Sequence, residues 1–400
     1  MPRMRGTTSR TYSRTHPWIT FSIDLSHVPA AAWMTLGEAR SKVEHVAGSL
    51  LKPAVAEQLH LLFLAKGALA TTAIEGNTLS EEQALQAVQG TLDLPPSQQY
   101  LQREIENVVR ACNRVKDDLR AGAAARLSPA EIKEFNRLVL DGLDLDDDVV
   151  PGEVSRHSVV VANYRGAPRE DCDYLLGQLC DWLNEDFVAP SEELRVPYAI
   201  IQAVVAHLYL AWIHAFGDGN GRTARLVELK LLLAAQMPMP ATHLLSNHYN
   251  QTRGEYYRQL ARSSASDDGV IAFLTYAATG FVDGLRNQLA LIRSQQFDDR
   301  WEQFIYETFG GDTQSPPRQR QLRLVLDLST SESPVPRSRL TTVSPEVAAL
   351  YAGKTRKTLT RDINALTEMG LIELIPSGYQ PARSQILAFL PLVPVSVEIE

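Results

Sequence analysis

Apolar positions recur at helical spacing along most of this 400-residue chain. Residues 53–69 set leucines and alanines on a broad stripe, predicting a helix that stops at Gly76 and Asn77. Ser80, with Gln83 three positions on, is a capping-box pair that opens the next helix. Pro95 and Pro96 mark a loop, after which 98–119 reads as a long helix and 121–125 as a connector. Ser128 and Glu131 cap a helix running to Leu140, and residues 172–187 are amphipathic. Residues 198–213 are apolar nearly all round, which predicts a buried helix. Further periodic helices are expected over 269–293 and 301–309. The helical pattern breaks at 152–166, where a β-branched run before the turn-prone Ala162 and Asn163 predicts a hairpin.

The chemistry concentrates where the apolar helix ends. Residues 214–225 read HAFGDGNGRTAR. The glycines 217, 219 and 221 forbid regular structure and let backbone approach a ligand closely. A helix starting near Arg222 would offer unpaired N–H groups and the positive end of its dipole. Arg222 and Arg225 lie one turn apart beside it, so a di- or triphosphate is the expected occupant. His214 supplies a base that titrates near neutrality, and Asp218 a carboxylate. Taken singly, the histidine would be a capping residue and the Gly/Asn/Asp cluster a plain turn; the arginine pair beside them favours chemistry. A calcium loop fails, because its last, bidentate position would be Leu229.

This stretch resembles the signature of the Fic domain family, enzymes that most often move AMP from ATP to a hydroxyl of a target protein. Eleven of the twelve positions fit; Ala215 stands where the family usually has proline, which could loosen the entry to the loop. The resemblance implies that His214 takes the proton from the attacking hydroxyl and that Asp218 binds Mg2+. It implies that Gly219, Asn220 and Gly221 hold the α-phosphate of ATP while Arg222 and Arg225 take the outer phosphates. Thr71, Glu75 and Gly76 match a second family pattern, whose implication is autoinhibition by pairing of Glu75 with Arg225. The hairpin at 152–166 resembles a flap that docks an extended target segment, and Tyr257, within 244–260, resembles a tyrosine near the nucleotide base. Self-modification is a further implication. The same loop could serve removal of AMP, or transfer of another phosphate-linked group, and a nucleotide-sensing regulator is the alternative outside catalysis.

Residues 310–317 have linker composition, and the character of the chain changes after them. Between 318 and 383 ten Lys/Arg face six Asp/Glu, a net +4 against −8 for the whole chain. Helices over 318–328, 344–352 and 354–369, then a strand at 371–375 and a turn at 376–378, resemble a winged helix. Lys354, Arg356, Lys357 and Arg361 cluster towards the start of its recognition helix, which leaves DNA binding open beside a docking or homodimer role. The fold class expected is mainly α: a Fic-type helical bundle with a small hairpin flap, plus a C-terminal winged helix-turn-helix domain. Its expected divisions are a flexible basic tail at 1–20, an N-terminal helical region at 21–125, a catalytic core at 126–310, a linker at 311–317 and the last domain at 318–400. The overall charge argues against a general nucleic-acid-coating protein. Three cysteines without metal-type spacing fit a reducing, cytoplasmic setting, and no membrane partner is expected.

Overall fold

The computed structural model describes residues 10–161, 164–266, 268–311 and 315–387. The first nine residues of the expected tail, the expected turn at Ala162 and Asn163, and part of the expected linker lie outside them. The rest of the tail departs from expectation. Arg10 pairs with Asp171 at 3.2 Å, residues Tyr12–Thr15 form a short helix (α1), and His16 and Ile19 are buried. Tyr12, His16, Trp18 and Ile19 anchor this stretch.

The chain divides into two compact units, Met1–Ile292 and Arg293–Glu400. After α1 the first unit continues with α2 (Ala30–Ala47), α3 (Pro53–Ala73), α4 (Glu81–Gln89), α5 (Gln99–Arg120) and α6 (Pro129–Val139). A two-stranded hairpin comes next, β1 (Val160–Val161) against β2 (Tyr164–Arg165), paired Val160 to Arg165 and Val161 to Tyr164. Then come α7 (Arg169–Asp186), α8 (Arg195–Ile213), α9 (Asn220–Ala234), α10 (Met239–Thr242), α11 (Leu244–Gln251) and α12 (Arg253–Ser263). Helix α13 (Gly269–Phe309) is one element where two were expected.

Helix α8 lies at the centre of the first core. Ile200, Ile201, Val204 and Val205 are wholly buried, and the helix packs against α2, α7 and α9. Each such side chain contributes on the order of 1.5–3 kcal/mol over exposure, so α8 is a fixed platform for the glycine-rich loop at its C-terminal end. The stretch Glu192–Ile213 is long and apolar enough to cross a membrane by length and composition, but 83% of its most apolar window is buried inside the protein. Helix α3 packs against α4, α5, α9 and α11, its contact with α11 made close by Gly67, where a Cβ would strike His243.

The second unit has its own core, in which Trp301, Ile305 and Phe309 of α13 meet Leu324, Val325, Leu328, Ile363 and Leu366. The unit boundary therefore falls inside α13 and not at the expected linker, because the apolar face of the helix end belongs to this second core. Helices α14 (Pro316–Ser329), α15 (Pro345–Tyr351) and α16 (Arg356–Glu368) precede an antiparallel pair, β3 (Ile372–Ile375) and β4 (Gly378–Pro381). Val335 extends that pair by exchanging two backbone hydrogen bonds with Tyr379, at 2.8 and 2.9 Å.

Candidate active site

Helix α8 ends by presenting His214 in the left-handed region, at φ 49° and ψ 53°. A non-glycine residue there is strained and needs its surroundings to hold it. The hairpin and the segments flanking it supply the hold: Ala167 N–H donates to Ile213 O at 3.0 Å, Ser155 N–H to Ala215 O at 2.8 Å, and the Tyr164 hydroxyl to Trp212 O at 2.8 Å. At Gly166 a Cβ would lie 2.7 Å from the His214 Cβ, so only glycine lets the flap come this close. Ala215 is buried and clamped in the same way, which replaces the rigidity a proline would give.

His214 Nδ1 sits 3.2 Å from Ala211 O. A carbonyl only accepts, so in the neutral ring Nδ1 carries the proton and Nε2 keeps the lone pair. Burial lowers the affinity of this ring for a second proton; the Ala211 bond and the charges of Glu75 and Asp218 oppose that only in part. At neutral pH His214 is therefore a base with its free nitrogen oriented.

The loop is locked from two sides. Gly219 adopts φ +74° and α9 starts at Asn220, whose side chain turns back on Phe216: Oδ1 accepts from Phe216 N–H at 2.9 Å and Nδ2 donates to Phe216 O at 2.6 Å. The Asn220 side chain thus closes the loop with one donor and one acceptor bond, and the backbone N–H groups at the start of α9 have no partner within the helix. From outside, the wholly buried Asn136 of α6 donates to Asp218 O at 2.9 Å and to Thr223 Oγ1 at 3.2 Å, and accepts from Gly152 N–H at 2.9 Å. Sequence reasoning missed Asn136, which looks like any polar residue on an amphipathic helix.

Both arginines are engaged by acids. Arg225, with 1% of its side chain exposed, donates to the Glu75 carboxylate and, at 2.9 Å, to Thr71 O. Burial pushes the Glu75 carboxyl upward, but Arg225, aided by Arg222 and His214, outweighs this and holds it below the usual range. Gly221 makes the room: a Cβ there would strike the Glu75 carboxylate. Arg222 Nη1 donates to Glu104 Oε1 at 2.9 Å and Nη2 to Asp218 Oδ1 at 3.0 Å. Burial raises the pKa of Glu104, with the charges of Asp218 and Glu75 adding to it and Asn77 and Arg222 opposing. Glu104 also escaped the sequence reading, since an acid on α5 carries no local mark of a partner 118 positions away. Tyr257 is 46% exposed, and its hydroxyl donates to Ile74 O at 3.2 Å, which puts it on the turn bearing Glu75. Asp218 is a lone carboxylate with 46% of its side chain exposed, and the described residues hold no cluster of three metal-ligating side chains.

The model of the Fic/DOC family matches residues 126–232, from the connector before α6 into α9. That span is a Fic domain. The chain is 25% identical over 244 residues to protein adenylyltransferase fic-1 of Caenorhabditis briggsae, covering 61% of this chain and 44% of the relative. It is 32% identical over 137 residues to protein adenylyltransferase Fic of Drosophila willistoni, covering 34% of this chain and 24% of the relative. The chain thus spans less than half the length of these curated relatives. Among solved structures, a Fic family protein from Desulfovibrio desulfuricans G20 superposes with TM-score 0.51 at 17% identity, covering 87% of this chain and 95% of the other. Fic-1 of Caenorhabditis elegans gives TM-score 0.54 at 23% identity, covering 66% and 74%. These likenesses establish the Fic fold and no more. Within the Fic domain and its flanks, His214, Asp218, Arg222, Arg225 and Glu75 meet at one place; Tyr257 reaches it through the Glu75 turn.

Proposed function

We propose that this protein is an adenylyltransferase that moves AMP from ATP to a Tyr, Thr or Ser hydroxyl of a target protein, and to itself, and that Glu75 restrains it. The observation that carries the reading is the Glu75 carboxylate on the buried Arg225, lying over Gly221 and close to an oriented His214. The target hydroxyl oxygen bonds to the α-phosphorus while His214 Nε2 accepts its proton. The bond from the α-phosphorus to the bridging oxygen breaks, and pyrophosphate leaves with that electron pair. Backbone N–H groups at the start of α9 bind the α-phosphate, and Arg222 and Arg225 take the outer phosphates. A half-exposed single carboxylate next to a phosphate cradle fits Mg2+, which keeps several waters and takes one or two carboxylates plus phosphates; Asp218 would hold it. Such a metal supplies charge neutralisation of the phosphates when bound.

With Glu75 in place, Arg225 cannot give its bidentate face to a γ-phosphate. ATP then lies misaligned, and an error of about an ångström costs on the order of 10²-fold. The exposed Val160 on β1 supports docking of an extended target segment along the flap, next to His214. Three free, buried cysteines, their thiols pushed up to about 12 by burial, suit a reducing cytoplasmic setting. Intact-mass analysis of the Glu75→Gly protein after incubation with ATP and Mg2+, with parallel α- and γ-labelled ATP, tests the reaction. Gain of one AMP with the α-label alone is expected; a γ-label on protein, or none, overturns it.

For the second unit we propose duplex DNA as the partner. Support comes from α16 and the turn before it: Asp362 points inward to Arg320, Gln321 and Tyr351, while Lys354 of the turn and Arg356, Lys357 and Arg361 of the helix are exposed. Phosphate contacts of this kind weaken steeply with salt. Anisotropy with a random duplex should show that slope, flattened when Lys354, Arg356 and Lys357 are replaced by Ala; no binding at low salt leaves a docking or homodimer role.

A further inference from the structure

We infer that Glu104 is a positioning residue whose single carboxylate fastens the Glu75 turn to Arg222, so that the restraint and the phosphate-binding arginine are set together. The inference rests on the nucleotide-transfer reading of this site. Glu104 has 15% of its side chain exposed, Arg222 5%, and each carboxylate oxygen has its own partner. Oε1 accepts from Arg222 Nη1 at 2.9 Å; Oε2 accepts from Asn77 Nδ2 at 2.9 Å. Asn77 lies two residues beyond Glu75 and is itself buried. Its Nδ2 also donates to Leu101 O at 2.9 Å, and its Oδ1 accepts from Leu79 N–H at 3.0 Å. The turn that carries Glu75 is therefore pinned to the start of α5 through Asn77, and Glu104 joins that pin to the catalytic loop.

The two arginine nitrogens differ in their partners. Nη2 bonds Asp218, the carboxylate suited to Mg2+, while Nη1 bonds Glu104, which lies on a helix outside the loop. If Asp218 were to hold a metal, Nη2 would be free for phosphate while Nη1 kept its bond to Glu104. The guanidinium keeps its plane and needs no reordering to meet the nucleotide.

Replacing Glu104 separates its two duties. In Glu104→Gln the amide oxygen faces Arg222, because an NH2 there would meet a cation; the NH2 then faces Asn77 Nδ2, a donor, and only that link breaks. Glu104→Gln and Asn77→Ala should each raise the initial transfer rate of the otherwise wild-type protein several-fold. In the Glu75→Gly protein, where the restraint is already gone, calorimetry should show Glu104→Ala weakening ATP binding about tenfold, the scale of one charge-assisted hydrogen bond, with AMP binding little changed. Glu104→Gln in that background should keep ATP affinity within about threefold. ATP binding unchanged by Glu104→Ala, or transfer unchanged by both Glu104→Gln and Asn77→Ala, overturns the inference. Loss of all ATP binding in Glu75→Gly alone would instead bring down the nucleotide reading itself.

Discussion

The catalytic loop and the Glu75 turn meet at the same site, the first clamped by the flap and Asn136, the second ending in a part-exposed carboxylate on a buried arginine. Residues 214–225 are fastened on every side: by the flap at Ile213 and Ala215, by Asn136 at Asp218, and by the internal Asn220 clamp on Phe216. The turn from Ile74 to Asn77 projects beyond the end of α3 with Gly76 at φ +111°. Ile74 is buried and backbone bonds from Glu75 and Asn77 N–H to Thr72 O tie the turn to α3, and polar contacts add Glu75 to Arg225, Asn77 to Glu104, and Arg253 and Tyr257 to Ile74 O. Glu75 keeps a third of its side chain exposed, whereas Arg225 is buried. The base is preset by backbone bonds on both sides, and in the restraint the contact of Glu75 with Arg225 is the one a competing anion can replace.

The comparison breaks first at the base. His214→Ala should cut AMP transfer by on the order of 10²–10⁴, with ATP binding nearly kept, since the imidazole acts on the hydroxyl and not on the phosphates. Full activity of that variant, measured as initial rate, would leave the loop without its assigned role. Arg225→Ala should abolish transfer with or without Glu75. The restraint comes next: Glu75→Gly should raise the initial rate by on the order of 10²-fold through realignment of the triphosphate. Wild-type rates in a folded Glu75→Gly protein would make Glu75 an ordinary surface acid. Gly166→Ala probes the fixed side more gently. Its Cβ would press on the His214 Cβ, and kcat should fall about tenfold, with thermal unfolding lowered by a few degrees, as expected for overpacking worth about 1–3 kcal/mol.

The smallest effect is a shift in pH dependence. Burial holds the His214 pKa below its ordinary 6.5, so the neutral, active form persists below that pH and kcat/KM should fall only at more acid values. The same depression makes stability drop as pH falls from the unfolded value through the folded one, since only the unfolded ring takes the proton there. Glu75 pulls the His214 pKa upward, so in Glu75→Gly the acid limb should move lower still. A limb that moves up would mean the two groups do not share a site.

Much of the site was legible because its parts are contiguous. The apolar run of α8, the glycines after it and the arginines one turn apart encode helix, loop and helix in one short stretch, and local rules read them. Capping at Ser80 and Ser128, and the hairpin at 160–165, were equally local. Longer-range features were not. Asn136 reaches the loop across 82 positions and Glu104 reaches Arg222 across 118, and neither residue differs in its own neighbourhood from a solvated helix face. The bonds of Asn220 to Phe216 were not legible either, because the loop closes them only when it folds back over four residues. The unit boundary inside α13 depended on which core buried Trp301 and Phe309. Sequence by itself determined the elements and the reacting groups, since propensity, capping and glycine freedom act over a few residues. Only the tertiary structure decided that Glu104 and Asp218 share Arg222 and that Asn136 ties the loop, because such partners are chosen by burial and distance, quantities that exist only once distant helices have packed.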